Sequence, residues 1–214
     1  MNKTDHNKEF NRITSDIKDA SPRLLLHACC APCSTICMDR VRDHFRTTVF
    51  FFNPNITNEQ EYRYREAELK RLISIYNEMP DRGHIDLILG EYDTNIFFEM
   101  AKGYENCPER GARCELCYEL RLKETARLAA EQGFDYFATT LTLSPLKDAQ
   151  KLNSIGYRLA ENIGKDTSLH WLPSDFKKED GYKKSIELSK KYDLYRQNYC
   201  GCIYSKENNN EKTI

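Results

Sequence analysis

Five apolar runs of strand length, Arg23 to His27, Thr48 to Phe52, Ile85 to Leu89, Phe134 to Thr139 and Leu169 to Leu172, alternate with longer stretches patterned at helical spacing. The helical stretches fall at 34–45, 59–78, 95–102, 114–131, 148–163 and 180–192. A strand that feeds a helix and then a second strand returns parallel to the first by a right-handed crossover. The rhythm therefore predicts an α/β domain, a parallel sheet with helices on both faces. At 214 residues the chain is sized for one such domain, expected over 22–205, with a polar leader at 1–21 and a disordered tail at 206–214. Ligands of open parallel sheets bind beyond the carboxyl ends of the strands. The chemically unusual residues fall there: Cys29 to Cys33 follow the first run, Asn53-Pro54-Asn55 the second, Glu91 to Asp93 the third and Thr139 to Lys147 the fourth.

Lys and Arg number 32 against 33 Asp and Glu, a formal net charge of -1, so no whole-molecule basic field draws in nucleic acid and any such contact is local. The opening MNKTDHNKEFNRITSD has no apolar signal region, and no apolar run reaches the roughly 18 residues of a membrane span. A cytoplasmic protein without membrane contact is expected. Nine cysteines bunch in three places: Cys29, Cys30, Cys33 and Cys37; Cys107, Cys114 and Cys117; Cys200 and Cys202. In a reducing compartment such bunching points to metal ligation or thiol redox chemistry, because cysteines that serve only as small buried side chains have no reason to cluster.

In the helical stretch opening CELCYELR, Cys114, Cys117 and Arg121 share a face at i, i+3 and i+7, and the helix dipole at its first turn favours thiolate. Alone, this C-x-x-C reads either as a redox dithiol or as half of a zinc site. The surplus of thiols over the four that a structural zinc needs fits an iron–sulfur cluster with a second redox or metal function better than a lone zinc. Gly201 allows Cys200 and Cys202 to meet as a strained, easily reduced disulfide or to chelate one metal. Cys37 reads as a packed side chain, His27 as a satisfied strand histidine, and Cys107 equally as ligand or bystander. The stripe of Leu69, Leu72, Ile73 and Tyr76 extends back to Arg65 and Tyr62, which puts a guanidinium either at the surface beside Glu68 or in the strand-end cleft, facing a phosphate or base edge. Lysine pairs at 177–178, 183–184 and 190–191 read as a solvated face or as a track for an RNA backbone.

Taken in order, HACCAPC, FFNPNI-x-x-x-x-EY-x-x-R, RC-x-x-CY-x-x-R, TTLT-x-SP-x-K and YCGC, spanning roughly 24–205, resemble the QueH family. The resemblance implies a Rossmann-like, HUP-type fold with a metal site at the carboxyl strand edge. It implies epoxyqueuosine reductase activity, the final step of queuosine synthesis at position 34 of tRNAs with GUN anticodons, those accepting Tyr, His, Asn and Asp. It also implies a [4Fe-4S] cluster without cobalamin, a possible second mononuclear iron, and an electron donor such as ferredoxin or flavodoxin. Carried onto this sequence, Cys29, Cys30, Cys114 and Cys117 match the cluster positions, Cys33 a further potential ligand, and Cys200 with Cys202 a redox-active pair or ligands of the second metal. Cys107 matches no family motif.

Epoxide deoxygenation takes two electrons and two protons and releases water. Tyr118, Asp93 and Lys147 are the candidate proton donors, and Arg65, Arg121, Tyr62 and Lys147 the candidate substrate contacts, with the modified nucleotide turned out of the anticodon stack. A zinc-stabilised RNA-binding module and a thiol–disulfide oxidoreductase are the rival readings. An ATP-dependent tRNA thiolase is disfavoured, because CCAPC stands where its glycine-rich loop would be.

Overall fold

The computed structural model describes residues 4–17 and 21–205; the expected tail at 206–214 lies outside the described residues. Strands β1 (Arg23–His27), β2 (Arg46–Phe51), β3 (Ile85–Leu89), β4 (Tyr136–Thr139) and β5 (His170–Trp171) form a parallel sheet in the order β3-β2-β1-β4-β5. Helices α2 (Ala31–Val41), α3 (Glu59–Asn77), α4 (Asn95–Ala101), α5 (Ala112–Glu131), α6 (Ala149–Ile163) and α7 (Gly181–Lys191) connect and follow them, bearing out the expected α/β class.

The period-two geometry of a strand splits the core in two. Leu24 and Leu26 of β1 join Val49 and Phe51 of β2 beneath α2 and α3. Leu25 faces the other way, packing with Phe50, Phe137, Trp171 and the α5 and α6 residues Leu122 and Leu152. Side-chain caps fix two helix starts: Asn58 accepts from the Glu61 N–H at 2.9 Å, and Asp148 from the N–H groups of Gln150 and Lys151.

Two departures from the sequence expectation matter. Helix α2 starts at Ala31 rather than at residue 34, because extended Cys30 is its N-cap and Pro32, lacking an N–H, suits the first turn. Cys33 thereby moves from a loop into that turn. The polar composition of 1–21 predicts no element, yet His6–Asp16 form helix α1. Its Phe10 packs 5.4 Å from Phe176, and Asn7 and Asn11 both donate to Glu179.

The sheet order reverses at β1, whose neighbours β2 and β4 leave in opposite directions along the chain. Loops leaving β1 and β4 therefore diverge and open a crevice at their carboxyl ends. On the β4 side, α6 lies close to the sheet through Gly156, where a Cβ would stand 2.2 Å from the Trp171 ring. That indole is fixed by donation to Asn153 Oδ1 at 2.9 Å. Gly156→Ala is expected to lower the unfolding free energy by about 1–3 kcal/mol through overpacking, outweighing the roughly 1 kcal/mol of helix propensity gained. Thermal melting checks it.

Candidate active site at the strand carboxyl ends

Beyond β1 the chain places three thiols around one helix start. The sulfurs of Cys29, Cys30 and Cys33 lie within 4.8 Å of one another, a group able to hold a metal ion. Cys29 Sγ is 3.7 Å from Cys30 Sγ and 3.8 Å from Thr140 Oγ1 in the loop after β4, so the trio sits at the crevice. Hydrogen bonds from the Cys30 and Cys33 thiols, helped by Lys147, hold Cys29 well below the usual thiol range. The same bonds push Cys30 up to about 12 and raise Cys33 further. Cys37, one turn on, is fully buried in the core, as a packed side chain should be. His27 is also enclosed: Nδ1 lies 2.9 Å from Thr139 Oγ1, and Nε2 donates to the Phe52 carbonyl at 3.1 Å. Burial, with the Arg121 charge, lowers it to about 3, so the imidazole is neutral and its nitrogens are occupied.

Helix α5 supplies the second pair. Arg110, just before it, is held in the left-handed region at φ 71, and from there its N–H donates to Cys114 Sγ at 3.2 Å. The buried Arg113 gathers the preceding loop by donating to the carbonyls of Tyr104, Glu105 and Cys107. Burial raises the Cys114 and Cys117 thiols and lifts the Tyr118 phenol above its usual range. Arg121 donates from Nε to the Cys117 carbonyl at 3.1 Å. Burial opposes its charge, but the surrounding thiols outweigh that and keep it a cation.

The third pair arrives on the C-terminal segment. Cys200 Sγ and Cys202 Sγ are 3.4 Å apart. Gly201 turns the chain at φ 109, where a Cβ would press to 2.8 Å from Ile56. Arg65 clamps this turn from α3: Nη1 donates to the Cys200 carbonyl at 3.2 Å, Nη2 to the Tyr199 carbonyl at 3.3 Å, and Nε to Glu61 at 2.7 Å. Asn55 Nδ2 adds a 3.4 Å bond to the Cys200 carbonyl, and the Gly201 carbonyl accepts from Thr57. Cys202 packs with Cys117 and Phe97, so the turn rests on the α4 and α5 side of the crevice. The hydrogen bond between the two sulfurs lowers the Cys200 pKa to about 5, while Cys202 is raised in return.

One cavity of about 200 Å³ collects these elements. Of the residues singled out in the sequence, Cys29, Cys33, Cys114, Cys117, Cys200, Cys202, Arg65, Arg121, Lys147 and Tyr118 line it. Cys30 stands behind Cys29. The others lie elsewhere. Tyr62 is buried in an aromatic stack with Phe51 at 5.0 Å and Tyr92 at 4.0 Å, and Asp93 accepts from the Asn95 N–H at the start of α4. Cys107 contributes its carbonyl to Arg113 and does not line the cavity. Lys147 faces Cys29, Cys33 and Cys200, whose charges overcome its burial and keep it an ammonium. Sequence reasoning missed Arg110, Arg196 and Tyr182, which also line the cavity. They sit in loops or at a helix start, where no periodicity marks them.

The sequence model of the family described as Epoxyqueuosine reductase QueH matches residues 24–208, most of the chain. Curated proteins of that description are similar over nearly the whole length. The one from Streptococcus pyogenes is 40% identical over 184 residues, covering 86% of this chain and 70% of its own. That from Staphylococcus epidermidis is 38% identical, covering 95% and 85%, and that from Thermotoga maritima 32% identical, covering 88% and 93%. The family match contains all three thiol pairs of the cavity, and with relatives at this identity and coverage the chain belongs to the QueH family of epoxyqueuosine reductases.

Proposed function

We propose that the chain converts epoxyqueuosine to queuosine at position 34 of tRNAs with GUN anticodons, those for Tyr, His, Asn and Asp, at an iron–sulfur site in the cytoplasm. The observation that carries this reading is the convergence of six thiols with Arg121 and Lys147 on one cavity at the sheet's switch point. The donor set is dominated by sulfur, and thiolates suit iron–sulfur clusters. Cys114 Sγ already accepts an N–H, the kind of bond that tunes a cluster's potential. Cys29 and Cys30 with Cys114 and Cys117 would hold a [4Fe-4S] cluster, with Cys33 as a further ligand. Bound there, the cluster supplies low-potential electrons one at a time.

The chain's own groups complete the chemistry. Cys200 as thiolate and Cys202 as thiol can close to a disulfide, releasing two electrons and one proton. A second proton from the Lys147 ammonium balances the reaction: the epoxide oxygen leaves as water, an alkene remains, and Lys147 ends neutral. Arg121 beside Cys117 offers a fixed cation toward the departing oxygen. Ligation of a second mononuclear iron is the other use of Cys200 and Cys202. A donor protein of the ferredoxin or flavodoxin type would restore the electrons. Arg65 serves the reaction by holding the C-G-C turn at the cavity, since its donors are engaged by Glu61 and two carbonyls of that turn.

Protein purified without oxygen should contain iron and sulfide, and Cys114→Ser combined with Cys117→Ser should remove most of the iron. Iron at the wild-type level in that double variant would refute the ligand assignment. Cys200→Ala and Cys202→Ala should each abolish conversion of the modified tRNA while iron content and absorption persist. In reduced, metal-free protein, alkylation of Cys200 followed by peptide mapping should show a midpoint near pH 5, since the neighbouring thiol stabilises its anion. A midpoint near 9 would mean that Cys202 does not stabilise its anion. Arg65→Ala removes charged hydrogen bonds worth on the order of 1.5–3 kcal/mol each. It should increase proteolysis around residues 197–203 and lower conversion with the cluster iron retained.

A further inference from the structure

The cavity is far more basic than the chain that builds it. Arg65, Arg110, Arg113, Arg121, Lys147 and Arg196 line it against Glu109 alone among carboxylates of the described residues, whereas the whole sequence carries 32 cations against 33 anions. Three of the six are buried and donate to backbone carbonyls, so they serve the cavity's frame. Lys147 faces the thiols on the cavity floor.

Arg110 and Arg196 are different, being exposed at the rim. The Arg110 side chain has no ion pair or hydrogen bond among the described residues, and its backbone is fixed by the N–H to Cys114 Sγ. Arg196 is anchored on α7 through Nη1, which donates to Ser189 Oγ at 3.0 Å and the Ser185 carbonyl at 3.4 Å. That anchor holds its guanidinium 6.0 Å from the ring centroid of Tyr182. Tyr182 is 38% exposed and Leu146, also on the rim, 52% exposed. Two guanidinium groups, an aromatic face and an apolar side chain thus ring a cavity whose reactive groups lie at its floor.

We propose that this rim is a docking collar for a single-stranded RNA loop, in which Tyr182 stacks a base beside the nucleotide that enters the cavity while Arg110 and Arg196 take the flanking phosphates. The proposal rests on the tRNA reading above. It follows from where the charges stand. A nucleotide turned into the cavity leaves its phosphates and neighbouring bases outside, where the two exposed guanidinium groups and the exposed ring are. An acidic electron-donor protein would match the cations too, but a nucleotide that enters the cavity necessarily sets its own strand against this rim.

The test is binding of a fluorescent anticodon stem-loop RNA across a salt series, using variants that melt at the wild-type temperature. Tyr182→Ala should weaken binding about tenfold, with Tyr182→Phe close to wild type because the ring remains. Arg110→Ala and Arg196→Ala should each lower the slope of log affinity against log salt by about 1. Wild-type affinity and slope in all three alanine variants would overturn the collar, whatever they convert. So would variants that bind RNA normally and turn over with a chemical reductant but fail with an acidic donor protein, since the rim would then dock the donor. Binding that responds as stated in a wild-type protein that converts nothing would leave the collar standing and remove the reductase reading.

Discussion

Thiolates sharing one cavity repel one another, and hydrogen bonds from neighbouring thiols together with the cations Arg121 and Lys147 relieve that repulsion. Arg121 and Lys147 both face Cys29 and Cys200, the two thiols that the surrounding groups hold as anions. Hydrogen bonds from neighbouring groups are the largest support of both anions, and Lys147 adds a counter-charge to each. The cations need the thiolates equally, because burial alone works against their charge. The two sets support one another, which sets a requirement for loops that bring them together.

The fold meets it by topology. Because the sheet order reverses at β1, the loop holding Cys29 and the loop holding Lys147 leave adjacent strands in divergent directions and leave a space between them. Helix α5 then delivers Cys114, Cys117 and Arg121 from one face, as i, i+3 and i+7 spacing dictates. The C-G-C turn has no strand or helix to hold it, and Arg65, reaching from α3 to two of its carbonyls, takes that part. A buried guanidinium with Glu61 as its partner is stiff enough for the task, and lysine, with a single point of charge, could not bridge all three acceptors.

The strand positions are legible because short apolar runs alternate with helical stretches, and Arg23–His27 and Ile85–Leu89 appear in the structure with the expected limits. The start of α2 was misplaced because a cysteine N-cap carries no propensity signal and proline at the second helical position resembles a break. Helix α1 was missed because one phenylalanine at position 10, within a polar run, makes the contact that holds it. Within the site, the cysteines and Arg121 were legible from spacing. The work of Arg65 was not, because its partners are backbone carbonyls some 135 residues away, and a carbonyl leaves no mark in a sequence. Tyr62 looked like a cleft residue because it lies on the same helical face as Arg65, but one turn toward the N-terminus that face meets Phe51 and Tyr92.

The early start of α2 has a chemical consequence. In nucleotide-binding sheets the first helix N-terminus offers its free N–H groups to a phosphate. Here Cys30 occupies the N-cap without a side-chain capping bond, and Cys29 and Cys33 flank it, so the dipole that would hold an anion from solution acts on the protein's own sulfur. The hydrogen bonds among the three thiols then distribute the protons unevenly, favouring the anion at Cys29 and the thiol at Cys30 and Cys33. A metal ion that ligates the trio must displace those two protons, so its affinity rises with pH and its arrival releases acid beside Lys147. The metal-free trio is thus poised with one anionic ligand to receive the ion and two thiols that deprotonate only when it is there.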